Sequence, residues 1–312
     1  MELKQMKYLL CLAEEGHVTR AARRLHIVQP ALSMQIARLE AEFGRKLFNR
    51  TRHGVSLTPA GATLVQLVAP IVRDADRATD EMARLDGRVS GRVRIGLITS
   101  VAQTTVASFS AKVAKQFPDV QLSVCEGYTE VLLDWVTTGE IDAALVNVPR
   151  HKLALSSTTL LEEEMVFAYR AGSNIVLPKR LRFEDVARYN LVTPSKRHGL
   201  RLILDNRAAE VGIELKPKLE VDTLHAIAEV VATTDLVTIL PSIALAQMLA
   251  SGRICGRLFA APGISRAIAA VHDDRRVLSA ATSAVIDIIK DDLVAAAART
   301  ARYVTPKRRQ SK

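Results

Sequence analysis

Apolar residues recur at helical spacing near the start of the chain, and the positions between them form a second face of different character. Four apolar residues follow one another at intervals of four, three and four: Leu32, Ile36, Leu39 and Phe43. The opposite face carries small and hydrogen-bonding side chains together with one thioether: Ala31, Met34, Gln35 and Arg38. A helix that enters the major groove of DNA needs little bulk there and an amide or guanidinium group that contacts base edges. The pattern therefore predicts a recognition helix.

A shorter helix precedes this one, and a tight turn joins the two. Thr19 is a predicted N-cap, and Ala22 and Leu25 supply a small apolar face. Pro30 suits the first position of the second helix, where a missing N–H leaves no partner unsatisfied. The predicted helix–turn–helix covers about residues 18–37. An ordinary helical hairpin in a globular core is the alternative, because such patterns are short and common.

A predicted β-wing follows the two helices. Gly54 lies in a polar turn between two short apolar segments, as in a small hairpin. Arg50 and Arg52 alternate along the first strand and share one face, from which they would contact phosphate or a minor groove. A surface arginine pair is usually only solvated, so this role depends on the helix beside it. Together these segments predict a winged helix–turn–helix domain over residues 1–58.

The same N-terminal segment contains a more specific pattern of residues than periodicity alone requires. It consists of Ala21–Ala22, Leu25, Gln29–Pro30–Ala31–Leu32–Ser33, Ile36, Leu39–Glu40, Leu47–Phe48, Arg50 and Leu57–Thr58–Pro59–Ala60–Gly61. With this pattern the chain resembles the LysR-type transcriptional regulators, and the resemblance extends to about Ala298. It implies DNA contacts from the recognition helix and the wing. The predicted DNA-binding residues are Thr19, Gln29, Pro30, Ala31, Ser33, Met34, Gln35, Arg38, Arg50 and Arg52.

Three positions depart from the family pattern. Val28 stands where the family often has a small Ser or Ala, and Met34 where it often has Arg or Gln. Met34 would exchange a polar contact for an apolar one, for instance with a thymine methyl group. The turn at 232–237 lacks the two glycines that the family commonly has, so a different local turn is expected there. From Pro194 onward the chain is most similar to the nitrogen assimilation control group.

The segment 59–87 has a strict heptad spacing and predicts a long linker helix. Seven small or apolar residues follow intervals of four and three: Leu64, Val68, Ile71, Ala75, Ala78, Met82 and Leu85. A period of 3.5 favours a coiled-coil partner, and a dimer would present two DNA-binding heads to two half-sites. Pro70 is expected to kink the helix or shift its register. The alternative is an amphipathic helix that lies on its own domain.

Strand-like and helical segments alternate beyond Ser90, which predicts parallel βαβ units. They would form two α/β lobes crossed by two connections, the plan of a periplasmic binding protein, and the family's effector domain has this plan. The predicted limits are residues 88–162 and 266–302 for lobe I, 163–265 for lobe II and 303–312 for a basic tail. The expected fold is thus α/β multidomain, with a winged helix–turn–helix, a long linker helix and a two-lobed effector domain.

Small hydroxyl residues follow three of the predicted strands, where helix N-termini point N–H groups into a crevice. The predicted effector-binding residues are Thr99, Ser100, Thr193, Ser195 and Thr223, and the resemblance implies the same places. These donors favour an anion such as a carboxylate, although Asp222 would oppose one. Four nearby residues are candidates for a counter-charge: Lys196, Arg197, His198 and Arg201. Ser and Thr at helix starts are also ordinary N-caps, which need no ligand.

The net charge of +10 over 312 residues is concentrated at the two ends of the chain. Residues 1–58 hold ten Lys and Arg against five Asp and Glu, and residues 299–312 hold six against none. Residues 88–298 are almost neutral, with twenty-four against twenty-three. This segregation favours a DNA-binding head on a neutral body. The basic tail is expected to be disordered, with added non-specific DNA affinity as the alternative.

Other classes of protein find little support in the sequence. It has no P-loop, nucleophile-elbow, zincin or dinucleotide-binding motif, and its seven histidines lack ligand spacing, so no enzyme, metal or cofactor is expected. A solute-binding protein and a non-specific architectural DNA protein are the rival classes. No apolar run approaches the ~20 residues that span a bilayer, and no secretory signal is seen, which favours the cytoplasm. Cys11, Cys125 and Cys255 are interpreted as reduced core thiols rather than a redox sensor.

The expected function is that of a ligand-responsive transcription factor. Its predicted partners are double-stranded DNA, a small-molecule effector, further copies of the chain in a homodimer or homotetramer, and RNA polymerase as a candidate. No membrane partner is expected. Paired heads would bind an inverted repeat, and an effector between the lobes would shift their arrangement by binding one arrangement better than the other.

Overall fold

The computed structural model describes residues 1–51, 54–84, 89–148 and 154–304. Two compact units divide the chain, one drawn from the first 88 residues and one from almost all of the residues that follow. No helix in the described ranges combines the length and the apolar character that crossing a membrane requires.

The N-terminal unit consists of four helices and a two-stranded wing. In chain order its elements are α1 (Leu3–Glu15), α2 (Val18–Arg24), α3 (Gln29–Phe43), β1 (Phe48–Thr51), β2 (Gly54–Leu57) and α4 (Pro59–Arg84). The apolar stripe of α3 is buried in the core of this unit, where Leu32 and Leu39 pack with Leu9 and Leu12 of α1. Phe43 lies at the end of α3 and is exposed, so the stripe is buried only over its first three members.

Backbone turns set the geometry of the helix–turn–helix. His26 lies between α2 and α3 with a positive φ of 54°, the left-handed region that a residue with a Cβ seldom adopts. Helix α2 begins at Val18, and its N-cap is His17 without a side-chain cap bond. The prediction that Thr19 caps this helix is therefore wrong, because Thr19 is already its second helical residue. Pro30 is the second residue of α3, where its nitrogen still has no intrahelical partner.

The second unit alternates strands and helices, as the sequence predicts. Its elements are β3 (Gly91–Leu97), α5 (Thr99–Gln116), β4 (Val120–Glu126), α6 (Thr129–Thr138), β5 (Ala143–Asn147), β6 (Ser156–Arg170), β7 (Val192–Thr193), α7 (Gly199–Glu210), β8 (Leu219–Glu220), α8 (Leu224–Thr233), β9 (Thr238–Pro241), α9 (Ala246–Ala250), β10 (Ile254–Leu258), β11 (Ser265–His272) and α10 (Ala280–Val304). Short 3-10 helices occupy Phe183–Arg188 and Ser242–Leu245.

One strand runs through both lobes. The main sheet has the order β10-β6-β11-β5-β3-β4, with β9 also pairing with β6. The first part of β6 pairs with β11, and its last part pairs with β9 and β10. Strands β3, β4 and β5 are parallel, as the βαβ prediction requires, whereas every pairing of β6 and β11 is antiparallel. The sequence predicts only Met165–Tyr169 as a strand here, so β6 is three times longer than expected.

Two hydrophobic cores lie on either side of this crossing. One draws on residues 93–160 and 268–296, with Ile243, and the other on residues 165–264, with Val304. Helix α10 therefore begins against one core and ends against the other. The domain limits given above stay predictions. At the turn without glycines, Thr234 has an extended backbone with φ of −129°, so the expected different turn forms without strain.

Candidate DNA-binding surface and effector cleft

The exposed face of α3 is centred on three of the predicted DNA-binding residues. Pro30, Met34 and Arg38 are all exposed, and Met34 keeps 50% of its surface accessible. Ser33 lies half-buried on one flank of this face and Ala31 on the other. Because Leu32, Ile36 and Leu39 point into the core, this polar and small-residue face is free to approach a ligand as wide as a groove.

The ends of this face differ in their freedom. Gln29 is exposed, and the preceding Val28 leaves 69% of its surface accessible although it is a large apolar residue. Gln35 is half-buried, and its Oε1 accepts a hydrogen bond of 3.2 Å from Nε2 of Gln5 on α1. The sequence predicts Gln35 as a direct DNA contact, but in the structure its carbonyl oxygen is already engaged inside the head.

Two of the predicted residues belong to the wing and one to α2. Arg50 lies on β1 opposite Val55 of β2. The prediction for Arg52 falls outside the described residues. Thr19 is exposed on α2. The backbone N–H of Val55 donates to the carbonyl of Gly16 at 2.8 Å, which ties the wing to the end of α1.

The linker helix α4 has two apolar faces rather than one seam. Val68 is only 1% exposed and packs in the core of its own head, and Leu64 is half-buried against the same core. The prediction that Val68 contacts a partner is corrected, because this side chain is already covered. Ile71, Ala78 and Met82 are exposed, whereas Ala75 is half-buried. Leu85 lies outside the described residues. Leu67, which the heptad omits, is exposed as well, so the exposed apolar stripe is rotated toward it.

The predicted hydroxyl residues of the effector domain fall into two groups. Thr99 and Thr223 line a cavity of about 430 Å³ that also includes Glu126, Tyr128 and Asp222. The hydroxyl of Thr99 donates to Glu126 at 2.7 Å, so this wall is acidic. Thr223 is exposed at the start of α8 and its side chain makes no cap bond.

The second group is closed to a ligand. Ser100 is buried, and its Oγ accepts from the Arg266 guanidinium at 2.9 Å. Thr193 is also buried and accepts from Arg201 at 3.2 Å. Ser195 donates its backbone N–H to Asp222 at 2.9 Å. None of these three lines a described cavity, so the prediction that they contact an effector directly is corrected: they brace the cleft walls.

Arg201 does not supply a free counter-charge. Its guanidinium forms ion pairs with Asp205 at 2.8 Å and with Glu220 at 2.5 Å, and it also donates to the carbonyl of Pro194. Burial works against the charged guanidinium, but the two carboxylates outweigh this and raise the pKa of Arg201. The residue therefore holds α7 to β7 and β8 instead of facing a ligand.

A second cavity lies in the cleft between the two lobes and is named the effector cavity here. Its volume is about 330 Å³. The wall from lobe I includes Tyr128, Thr129, Glu130, Leu133, Asn147 and Val148. The wall from lobe II includes Lys196, Arg197, His198, Gly199, Leu202, Ile203 and Asn206. The crossing strand β11 closes one side with Ser265, Arg266 and Ala267.

A buried ion pair lies at the base of this cleft. Arg266 and Glu163 are register partners on β11 and β6, and the guanidinium donates twice to the same carboxylate oxygen, at 2.9 and 2.5 Å. Arg266 also donates to Ser100 at 2.9 Å and to Asn147 at 3.1 Å. Both charged side chains are almost completely buried, so each charge is compensated by the other.

His198 caps α7 and borders the effector cavity. Its Nδ1 accepts the backbone N–H of Leu200 at 3.2 Å, so the proton of a neutral ring lies on Nε2. Burial lowers the pKa of His198 to about 4, and Arg266 lowers it further, whereas Asp222 raises it. The ring is neutral at pH 7. Its edge meets the ring of Tyr128, with centroids 5.5 Å apart.

Tyr128 and Asp222 connect the two lobes across the cleft. The tyrosine hydroxyl donates to the aspartate at 3.0 Å. Hydrogen bonds from Ser195 and from Tyr128 lower the pKa of the Asp222 carboxyl, so it is charged at neutral pH. Arg197 lies 3.7 Å from the same carboxylate, and its own charge is therefore partly matched.

Sequence reasoning did not select Tyr128, Thr129, Asn147 or Arg266. Thr129 is the first residue of α6 and directly follows the turn after β4. The rule that selects Thr99 and Ser100 applies equally to this turn, so Thr129 could have been found. Arg266 could not, because its position depends on how β11 pairs with β6 in the folded sheet.

A winged helix–turn–helix head followed by a two-lobed α/β domain with a cleft defines a DNA-binding regulator with a ligand-binding domain. The family model of the LysR substrate binding domain matches residues 86–294, and that of the bacterial regulatory helix-turn-helix protein, lysR family, matches residues 3–62. The chain belongs to the LysR family and is a DNA-binding transcriptional regulator with an effector-binding domain.

Relatives of known name extend along most of the chain. The hydrogen peroxide-inducible genes activator of Dickeya chrysanthemi is 29% identical over 273 residues, which cover 87% of this chain and 89% of that protein. The nitrogen assimilation regulatory protein nac of Escherichia coli (strain K12) is 27% identical over 242 residues, which cover 77% and 78%.

Solved structures show the same fold. Full-length OxyR from Pseudomonas aeruginosa is 23% identical, with a TM-score of 0.70 and 94% of each chain covered. Full-length CbnR in complex with its target DNA is 17% identical, with a TM-score of 0.65 and 95% of this chain and all of that chain covered. Identities this low support the shared fold, and the site residues are argued from this chain alone.

Proposed function

We propose that two copies of this chain bind an inverted repeat through the exposed face of α3, and that a small molecule in the effector cavity controls them. The exposed face centred on Pro30, Met34 and Arg38 carries the proposal, because it lies opposite the buried stripe at the place where a groove is met. The basic excess of residues 1–58 supports it through attraction to phosphate.

The effector part of the proposal follows from the two lobes. A ligand in the cleft contacts α6 from one lobe and α7 from the other, so it can favour one lobe arrangement over another. We further propose a homodimer or homotetramer in the cytoplasm, without catalytic activity, with RNA polymerase as the partner that responds to the change. A carboxylate remains the proposed effector class.

Footprinting on the region upstream of the protein's own gene tests the DNA-binding role. The full chain should protect one site of two or more helical turns at moderate salt with competitor DNA present. Uniform, salt-sensitive binding to any duplex would contradict a sequence-specific regulator.

Two arginine variants separate base contacts from general charge. Arg38→Ala should relax the preference at one position in each half-site and cost about 1–3 kcal/mol of binding energy there. Arg45→Ala, at an exposed position just after α3, is the matched control. It should weaken all sequences alike or have no effect. Equal behaviour of the two variants on specific and random DNA would remove Arg38 from the contact surface.

A further inference from the structure

We propose that the effector is a small monocarboxylate with a compact apolar body, bound in the effector cavity with its carboxylate at Thr129 and His198. This inference rests on the proposed function, because it specifies the ligand class of the same cleft.

Two buried polar groups at the cavity lack a partner within the described chain. They are the hydroxyl of Thr129 and Nε2 of His198. His198 is only 5% exposed, and its cap bond with Leu200 leaves Nε2 as the atom that carries the proton. A buried donor without an acceptor costs free energy, which a ligand oxygen would recover. The unsatisfied groups therefore call for a hydrogen-bond acceptor.

Gly199 leaves a cradle between the same groups. A Cβ added to Gly199 would lie 3.1 Å from Nδ2 of Asn147 and 3.4 Å from Oγ1 of Thr129. The side-chain oxygen of Asn147 already accepts from Arg266, so its amide nitrogen is the end that faces Gly199. Three donors, from Thr129, Asn147 and His198, thus surround a space that a side chain at position 199 would fill.

Two helices begin at this space. Thr129 is the first residue of α6, which has 10 residues, and Gly199 is the first residue of α7, which has 12. Their free N–H groups add partial positive charge, which favours an anionic acceptor over a neutral one. Helix termini alone would also suit an N-cap, but the unpartnered His198 and Thr129 groups point independently to a ligand.

The charges that border the cavity limit the ligand to one negative charge. Arg266 is compensated by Glu163, and Arg197 lies against Asp222. Lys196 forms no ion pair with any described residue, so it is the one cation left for a ligand. A dianion would bring a second charge without a counter-charge, and burying it would be costly. A single carboxylate fits this balance.

The other side of the cavity is apolar. Leu133 and Val148 from lobe I lie across from Leu202 and Ile203 of α7. Leu202 is 54% exposed, which is unusual for a leucine unless something covers it. A short apolar body between these walls would remove surface from water on both lobes at once. A volume of about 330 Å³ suits a body the size of a benzene ring or a branched C5 chain.

Calorimetric titration of the full chain tests the ligand class. The probes are benzoate and 3-methylbutanoate, compared with benzamide, phthalate and inorganic phosphate. We expect at least one of the two monocarboxylates to bind with a stoichiometry of one per chain. Benzamide and phthalate should bind at least tenfold more weakly than benzoate. Equal binding of benzamide, preferred binding of phthalate or phosphate, or no binding of either monocarboxylate would overturn the class.

Variants locate the site. Thr129→Val keeps the shape of the side chain and removes the hydroxyl, and it should weaken monocarboxylate binding at least tenfold. Gly199→Ala should weaken it too, because the added methyl group occupies the cradle. Thr158→Val, on an exposed position of β6, is the matched control and should bind like the unmodified chain. Unchanged binding by Thr129→Val would overturn the site even if Gly199→Ala failed to fold.

Footprinting of the same preparations separates this inference from the proposed function. Specific DNA protection without monocarboxylate binding would refute the ligand class and leave the DNA-binding regulator intact. Loss of specific protection in the unmodified chain would instead refute the proposed function, whatever the titration shows.

Discussion

The histidine at position 198 combines three roles in one side chain. It caps α7 through Nδ1, borders the effector cavity and remains neutral because it is buried. The groups that influence its titration are Asp222, which favours the protonated form, and Arg266, which opposes it, while Tyr128 packs against the ring. A charged ring here would lie beside the buried guanidinium, so acid should weaken this part of the fold.

The folded pKa of about 4 lies below the ordinary value of 6.5, so the unfolded chain binds this proton more readily. The stability that His198 contributes is therefore complete above the ordinary value and is lost as the pH falls from there toward 4. From pH 7.5 to pH 5.0 we expect a loss of about 2 kcal/mol in the free energy of unfolding from this group. Urea denaturation, followed by the fluorescence of the single tryptophan, Trp135, measures it.

His198→Asn should remove that share of the pH dependence, because asparagine is a good N-cap and does not titrate in this range. His225→Asn is the matched control, since His225 is exposed on α8. If both variants lose stability with acid as steeply as the unmodified chain, His198 is not the responsible group.

Met34 and Val28 expose apolar surface where base edges would be met. Met34 lies at the centre of the outward face of α3, and Val28 directly precedes the helix. Neither side chain can form a strong hydrogen bond, whereas both can cover the methyl group of thymine. At the residue scale, part of the sequence preference should therefore depend on hydrophobic contact.

Replacing single thymines of the half-site by deoxyuridine removes only the methyl group. At the position that Met34 contacts, we expect affinity to fall about threefold to fivefold, as one buried methyl group would give. Met34→Ala should bind the two DNAs almost equally, whereas Arg45→Ala should still distinguish them. Competition binding with labelled duplexes measures the ratio. A ratio of one at every thymine would contradict apolar contacts.

At the scale of elements, α4 shows why a heptad pattern alone does not identify an interface. The same spacing includes Val68, which is buried in its own head, and Ile71, which is 48% exposed. A helix with two apolar faces can satisfy a domain core and a partner at once. Both interpretations of this segment that the sequence left open therefore apply, each to a different face.

Ile71→Asp should weaken self-association at least tenfold while leaving the head folded, because it places a charge on the exposed face alone. Val68→Ala should instead lower the free energy of unfolding of the head by about 2 kcal/mol through a cavity. Sedimentation equilibrium measures the first effect and thermal unfolding the second. Gln66→Asp, at an exposed position of the same helix, is the control. Unchanged association of Ile71→Asp would exclude this face as the interface.

Periodicity predicts the elements better than it predicts the site. The stripe of α3 and the alternation of β3, α5 and β4 follow from local spacing, so the sequence is enough for them. The length of β6 and the position of Arg266 depend on pairing between strands about a hundred residues apart. The burial of Ser100 depends on the same pairing, because Arg266 reaches it only in the folded sheet. Local rules therefore find the cleft but misplace its contacts.

At the scale of the whole molecule, the two cysteines of the effector domain are far apart. Cys125 lies on β4 and Cys255 on β10, at opposite ends of the strand order. Five strand spacings of about 4.8 Å separate them by about 24 Å. A disulfide requires Cα atoms within about 7 Å, so these thiols cannot form one within this fold. The name of the peroxide-responsive relatives therefore does not carry a disulfide mechanism to this chain.

Treatment of the full chain with a small excess of hydrogen peroxide should give no bond between Cys125 and Cys255. Mass spectrometry of non-reduced peptides checks this directly. The footprint on DNA should also be the same before and after treatment, and Cys125→Ser should behave like the unmodified chain. A linked Cys125–Cys255 peptide from folded protein would contradict the strand order.

The path of β6 through both lobes also has a consequence for how the protein is made. The ribosome delivers β6 (Ser156–Arg170) early, but the neighbouring strand β11 (Ser265–His272) follows about a hundred residues later. Lobe II lies within that interval apart from the end of α10, so it can collapse first. Lobe I must wait with an open sheet edge until β11 and α10 have been synthesised. A nascent chain stalled in the last fifth of its translation would therefore carry one finished lobe nested inside an unfinished one, with aggregation-prone strands exposed.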